Sequence, residues 1–266
     1  MLAEISLAVS RSENAFLDLP IMTKIDAYQE DLAYIHDVGF DFYARGVAPE
    51  LLKIFRRHGI TKGVVVDLGC GSGIWAGELI RAGYDVLGVD ISESMIRLAR
   101  KKAPQAKFVR SSFLDVQLPR CDAVTSLGEC LCYLFDSKNG TTELTKLFSR
   151  IYEALRPGGL FVFDIAQPGQ IAAAQRVRNF AGADWVVLRE AEEDGKNMVL
   201  TRHLITFRRA GYHHYRRSEE THRLRLYWAA DLARILRDIG FHARILRGYG
   251  QYRLTGNRAA ILARKP

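Results

Sequence analysis

The sequence predicts an α/β protein: a doubly wound, mostly parallel sheet with an N-terminal helical cover and an inserted antiparallel β segment. Three observations carry that reading. A β-branched run, Val64-Val65-Val66, ends in Asp67 and enters Leu68-Gly69-Cys70-Gly71-Ser72-Gly73, after which Ile74, Leu79 and Ile80 take helical spacing. Strand, glycine turn and helix in that order place backbone N–H groups toward a nucleotide-like ligand. A second buried-strand pattern, Val86-Leu87-Gly88-Val89, closes on Asp90, seventeen residues past Gly73. An acid there is placed to accept hydrogen bonds from two ribose hydroxyls. Strand and helix patterns then keep alternating to Pro168, which means a parallel sheet covered on both faces, with its ligand outside the carboxyl ends of the strands.

Each element has its own warrant. Residues 25–58 are helical in pattern, with Leu32, Ile35, Phe40, Tyr43, Leu51, Ile54 and Phe55 as apolar faces. Gly39 and Gly46 read as breaks, Pro49 suits the first turn of the helix running to Arg57, and Gly59 ends it. The core then reads as strand 64–68, helix 73–82, strand 85–90, helix 93–103 with Ser92 as N-cap, and strands 106–110 and 122–127. Helix 142–155 follows, capped by Thr141 or Thr142, then a turn at Pro157-Gly158-Gly159 and strand 160–165. Beyond Pro168 the period changes. Segments 185–189, 198–208 and 212–226 read as antiparallel strands, helix 228–239 stops at Gly240, and strands 243–246 and 258–263 close the main sheet. Gly248-Tyr249-Gly250-Gln251-Tyr252 reads as a turn. The divisions are a poorly ordered tail 1–22, a helical cover 23–58, a ligand-binding core 59–169, the inserted β segment 170–226 and closing elements 227–266.

Composition limits the partners. With 266 residues, 48% of them hydrophobic, the chain can bury one large core. A net charge of +8 favours anionic ligands or surfaces; nucleic acid is one reading, an Arg-rich cytoplasmic enzyme the other. Cys70, Cys121, Cys130 and Cys132 form no C-x-x-C pair, so reduced thiols are expected, with no disulfide frame and no metal site. No apolar run approaches the roughly 18 residues of a membrane span. The first 20 residues lack the order of a signal peptide, and Met22 is a second candidate start.

The glycine turn does not match the dinucleotide fingerprint G-x-G-x-x-G, because its sixth position is Ile74. There is no G-K-[ST] and no H-R-D, which removes P-loop and protein-kinase chemistry.

Asp67-Leu68-Gly69-Cys70-Gly71-Ser72-Gly73 together with Asp90 closely resembles the class I S-adenosylmethionine-dependent methyltransferases. Gly88-Val89-Asp90-Ile91-Ser92, Phe108-Val109-Arg110-Ser111-Ser112-Phe113, Cys121-Asp122-Ala123-Val124 and Leu155-Arg156-Pro157-Gly158-Gly159 resemble the family's later motifs in order. The resemblance is strong over residues 60–166 and weaker beyond. It implies a seven-stranded sheet with the last strand antiparallel, and S-adenosyl-L-methionine as cofactor. Asp67, Gly69, Cys70, Gly71 and Gly73 would form the loop around its methionine and ribose, Asp90 would hold the ribose, and Ile91 would pack on the adenine. Ser112 and Phe113 would sit at the adenine edge, Leu127 and Gly128 under the methionine end, and His36 near the donor. Where many members carry an acid, this chain has Ser112.

Methyl transfer from a sulfonium needs no acid to expel the leaving group, so positioning does most of the work; a base is needed where the acceptor must lose a proton. Glu129, beside the expected methyl position, reads either as that base or as a contact to the cofactor's ammonium. Tyr133 reads as a neighbour on the same face or as core. If 212–226 is a strand, His214, Arg216, Ser218, Glu220 and His222 share a face. That face either floors an acceptor pocket, with His222 or Glu220 as base and Arg216 gripping an anionic group, or faces solvent. The expected function is methyl transfer to nitrogen or oxygen of a small molecule. The alternatives are an RNA- or protein-modifying enzyme, from the Arg-rich stretch 208–225, and a cofactor-binding regulatory module without turnover.

Overall fold

In the computed structural model, residues 27–171 and 176–266 are described; the expectations for tail 1–22 and for the starting methionine lie outside the described residues. The helices are α1 (Glu30–Gly39), α2 (Phe42–Arg57), α3 (Ile74–Arg81), α4 (Glu93–Lys102), α5 (Thr141–Ala154) and α6 (Ala229–Ile239). The strands are β1 (Gly63–Leu68), β2 (Tyr84–Asp90), β3 (Lys107–Arg110), β4 (Cys121–Ser126), β5 (Leu155–Ala166), β6 (Val177–Ala181), β7 (Trp185–Asp194), β8 (Val199–Arg209), β9 (Tyr215–Arg225), β10 (His242–Leu246), β11 (Gly248–Tyr249), β12 (Tyr252–Arg253) and β13 (Arg258–Arg264).

Seven strands form the main sheet in the order β10-β13-β5-β4-β1-β2-β3. β1 pairs in parallel with β2 on one side and β4 on the other, so the strand order reverses at its carboxyl end. β13 runs antiparallel to β5. The β-branched run of β1 is buried on both faces. Val65 enters one core with Leu51, Phe55, Trp75 and Leu79; Val66 and Leu68 enter the other with Phe148, Phe161 and Phe163. This double coverage is what a continuous apolar strand requires.

The inserted segment is a four-stranded antiparallel sheet, β6-β7-β8-β9. Leu32 and Ile35 of α1 pack on Trp185, Val187 and Leu204 of that sheet, so α1 lies against the insert.

Several local expectations are corrected. α2 runs unbroken through Gly46 and Pro49. Gly46 is a packing glycine: a Cβ there would lie 2.5 Å from the Tyr252 ring. Pro49 sits inside the helix, where burial of Val47, Ala48, Leu51, Ile54 and Phe55 outweighs one missing backbone bond. α5 starts from Gly140, and neither threonine caps it, whereas Ser92 caps α4 by accepting from the Met95 amide at 3.2 Å. Pro157-Gly158-Gly159 lies within β5 at a register shift against β4, with Gly158 at φ +81°. β6 was not anticipated. Gly248–Tyr252 is a β11-β12 hairpin whose Tyr249 is fully buried.

Gly73 sits at φ +77°, and a Cβ would lie 2.9 Å from the Ala99 backbone of α4. Gly73→Ala is therefore expected to lower unfolding free energy by about 1–3 kcal/mol in a urea titration; an unchanged midpoint would remove the close packing of α3 on α4 as the reason for this glycine.

Candidate active site

A cavity of about 470 Å³ opens at the carboxyl ends of β1, β2 and β4, walled by α1 and the insert. The glycine loop forms its floor. The amides of Gly69 and Cys70 donate to the Val89 carbonyl at 2.7 and 3.0 Å, fastening the loop to β2. The Gly71 amide donates to Asp90 Oδ2 at 2.9 Å and the Ser92 amide to Oδ1 at 2.8 Å. Burial pushes the Asp90 carboxyl up, against the amides of Ser92, Gly71 and Ile91.

The three loop glycines differ in purpose. A Cβ on Gly69 would strike Cys130 at 2.6 Å. Gly71, at φ +53°, meets nothing within 4 Å, so its bare backbone faces open cavity. Gly73 does not line the cavity, contrary to the expectation for it, because it is pressed against α4. Of the other expected cofactor residues, His36, Asp67, Cys70, Asp90, Ile91, Ser112, Phe113, Leu127 and Gly128 all line the cavity. An adenosyl ligand fits this floor: unobstructed backbone at Gly71, a carboxylate at Asp90 and a buried His36 Nδ1 without a protein partner. Burial pushes His36 down to about 4, so its imidazole is neutral. Ser112 Oγ donates to Asp136 Oδ2 at 2.6 Å, and Asp136 lines the cavity. Asp136 thus brings a carboxylate to the cavity beside Ser112.

The opposite wall is built on an acid that sequence reasoning missed. Asp164, fully buried on β5, accepts from Tyr43 Oη at 2.6 Å, Tyr249 Oη at 2.8 Å and the amides of Gly128 and Glu129 at 2.9 and 2.8 Å. It fixes the turn after β4, where Glu129 takes φ +63°. Glu129 lines the cavity, yet Oε2 accepts from Arg202 at 2.8 Å and Oε1 lies 2.7 Å from Arg258 Nε. Burial pushes its carboxyl up, but the two guanidiniums prevail and hold it below the usual range. Tyr28 Oη and Tyr133 Oη are 3.2 Å apart, and Arg202 also approaches Tyr133 Oη at 3.3 Å.

The polar face of β9 is divided: His214, just before the strand, and half of Arg216 face solvent, α1 covers Arg216 and Ser218 in part, and His222 reaches the cavity. Asp31 accepts from Arg216, Arg208 and Ser218, so Arg216 grips a helix acid rather than a ligand anion. Glu220 lies behind the cavity wall, accepting from the Tyr28 and Gln29 amides at 2.9 and 2.8 Å. Its Oε2 also lies 2.8 Å from His222 Nε2. In that pairing the ring nitrogen Nε2 is the donor and the carboxylate oxygen the acceptor. His222 lines the cavity, within 5.7 Å ring-to-ring of Tyr28, Tyr133 and Phe135. Of the three expected catalytic residues, His222 and Glu129 reach the cavity and Glu220 backs His222. Arg217 of the Arg-rich stretch pairs with Glu219. Among the described residues, no three His, Cys, Asp or Glu side chains gather as a metal site, and no helix is long and apolar enough to cross a membrane.

Residues 65–159 match a family profile described as a methyltransferase domain. Over 117 residues the chain is 36% identical to a putative methyltransferase of Geobacillus sp. (strain WCH70), covering 43% of this chain and 46% of that one. The chain thus spans about half the length of that relative. Over 235 residues it is 24% identical to dTDP-3-amino-3,6-dideoxy-alpha-D-glucopyranose N,N-dimethyltransferase of Streptomyces fradiae, covering 83% and 88%. The solved structure of the sugar N-methyltransferase KedS8 from Streptoalloteichus sp. superposes with a TM-score of 0.70 at 19% identity, covering 99% of both chains; that likeness is one of fold.

Asp67 lies at the cavity floor, where it accepts from Thr125 Oγ1 at 2.7 Å; burial pushes it up from 3.8 to about 7, helped by Asp90. A carboxyl raised in the fold contributes stability that is complete below its unfolded value and lost as pH rises through the folded one. Relative to Asp67→Asn, the wild-type protein should therefore lose roughly 1–4 kcal/mol between about pH 4 and 8. Parallel denaturant titrations across that window check this; parallel pH curves for the two proteins would refute it.

Proposed function

We propose that this chain, whose residues 65–159 match a methyltransferase domain profile, is a class I S-adenosylmethionine-dependent enzyme that transfers a methyl group to nitrogen or oxygen of a small-molecule acceptor. One observation carries the reading. A single cavity holds both the glycine loop braced by Asp90 and an imidazole, His222, oriented by a carboxylate behind it.

S-adenosyl-L-methionine supplies a sulfonium methyl group that is displaced in line as a neutral thioether leaves. The protein's part is to hold and to deprotonate. Gly69, Gly71 and Asp90 hold the ribose and methionine portions, with Ile91, Ser112 and Phe113 at the base. Leu127 and Gly128, fixed by Asp164, sit under the methionine end. Fixing donor and nucleophile in one enclosed space lowers the barrier chiefly through orientation. His222 Nδ1 takes the proton from the acceptor, and Glu220 holds the ring and stabilises the imidazolium that results. Glu129 keeps Arg202 and Arg258 in place, with both oxygens facing guanidiniums. The small-molecule reading is favoured over RNA because Arg208, Arg216 and Arg217 of the Arg-rich stretch bind acids of this chain. A regulatory module would share the cofactor loop and give no turnover, so release of S-adenosylhomocysteine over a panel of amine and hydroxyl acceptors separates the two.

Two variants test the roles. Asp90→Ala should weaken S-adenosylhomocysteine binding by about 1–3 kcal/mol in calorimetry; unchanged affinity counts against the ribose role. His222→Gln should lower kcat by about 10²- to 10⁴-fold with cofactor affinity nearly constant. Retained kcat would leave the protein with no base at this position.

A further inference from the structure

We infer that the outer face of the inserted sheet is an interface for a second copy of this chain, packed face to face about a two-fold axis along β8. The inference goes beyond the proposed function and does not rest on it.

The insert has two faces, and the core accounts for one of them. Trp185, Val187 and Leu204 point inward, onto α1, and Ala191, Leu200 and Leu224 enter the main core. Side chains alternate along a strand, so Val186 and Leu188 of β7 and Ile205 and Phe207 of β8 point the other way. They stand side by side: Val186 is the register partner of Phe207, and Leu188 that of Ile205. None of the four belongs to an apolar core of the described residues. Leu188 is 37% exposed, and on the same face Val177 of β6 and Tyr215 of β9 are 61% and 52% exposed. A contiguous apolar patch rimmed by charge marks an interaction surface.

Charge on the two flanks selects the occupant. On this face β7 carries Glu190 and Glu192, and β9 carries Arg217 and Arg223, with β8 between them. Arg217 pairs with Glu219, and Glu190 lies 3.4 Å from Arg176. Glu192 and Arg223 are exposed and have no ion-pair partner among the described residues. They share one register row, both opposite Thr201 of β8. The face is therefore self-complementary. A half-turn about an axis along β8 exchanges the flanks and keeps each row level. It sets Glu192 over Arg223 of the partner subunit and Arg223 over the partner's Glu192, while Ile205 and Phe207 of the two copies meet on the axis. Reciprocal pairing of this kind is what an isologous two-fold contact requires. Aligned sheets pack about 10 Å apart with their strands within about 30° of each other. The four strands span roughly 19 Å by 35 Å, a face on the scale of the roughly 800 Å² that each partner buries in a stable pair.

The test is sedimentation velocity on the full chain at roughly 10 μM, where a dissociation constant of about 1 μM or less leaves mostly dimer. Wild type should sediment at twice the chain mass of 30.0 kDa. Glu192→Arg and Arg223→Glu should each raise the dissociation constant by about tenfold or more, since each sets like charges together twice per dimer. Glu192→Arg/Arg223→Glu should restore it to within about threefold of wild type. Ile205→Lys, which brings two cations together on the axis, should give monomer. Far-UV circular dichroism matching wild type shows that each variant is folded; should Ile205→Lys fail to fold, the charge exchange decides alone. A wild-type monomer overturns the inference. So does a dimer indifferent to all three single variants, or one that both charge variants weaken and their combination does not recover. Binding of S-adenosylhomocysteine is read separately: its absence would remove the proposed function and leave the dimer standing.

Discussion

The site depends on how Asp164 is satisfied. This carboxylate is fully buried at the end of β5, and four donors from three parts of the chain converge on it: Tyr43 from α2, Tyr249 from the closing hairpin, and the Gly128 and Glu129 amides. A buried acid without such donors would carry a large desolvation cost. With them it becomes a fixed point, tying the N-terminal cover and the C-terminal elements to the turn after β4. That turn holds Glu129 in left-handed backbone, a conformation that persists in a non-glycine residue when its surroundings over-determine it. Glu129 in turn sets Arg202 and Arg258. A hierarchy of buried charge thus runs from β5 outward to the insert.

The two halves of the cavity are made by different means. The floor is backbone: loop amides fastened to β2, a glycine with open space above it, and a carboxylate oriented by one amide on each oxygen. The far wall is side chain: arginines and a histidine of the antiparallel sheet, joined by Arg258 of β13 and by tyrosines from α2, from the chain before α1 and from the loop after β4. Backbone recognition tolerates change in side chains, whereas the far wall changes with every substitution. Both are consistent with one donor serving many acceptors on a shared fold.

What could be read from the sequence follows the same division. The floor was legible because its parts are close in the chain: Val64 to Gly73 is one strand and turn, and Asp90 closes the very next strand. The far wall was largely illegible, because its contacts span great distances along the chain. Glu129 meets Arg202 and Arg258; Asp164 meets Tyr43 and Tyr249. No local pattern announces such partners. Alternation groups His214, Arg216, Ser218, Glu220 and His222; the last four lie at alternate positions of β9 while His214 precedes it, and alternation does not say what lies over them. For Arg216 and Ser218 the answer, helix α1 through Asp31, rested on a tertiary contact. Gly46 and Pro49 misled for a related reason: both are local breakers, and here the Tyr252 ring and a buried helix face override them.

Glu220 links two duties. The carboxylate that steadies His222 also receives the Tyr28 and Gln29 amides at the entry to α1, while Ser92, beside Asp90, donates to the Tyr28 carbonyl at 2.9 Å. The strand bearing the imidazole, the chain leading into the cover and the loop around Asp90 are stitched at one seam. A substitute sheet lacking an acid at this register would leave the Tyr28 and Gln29 amides, at the entrance of the cover, without their acceptor.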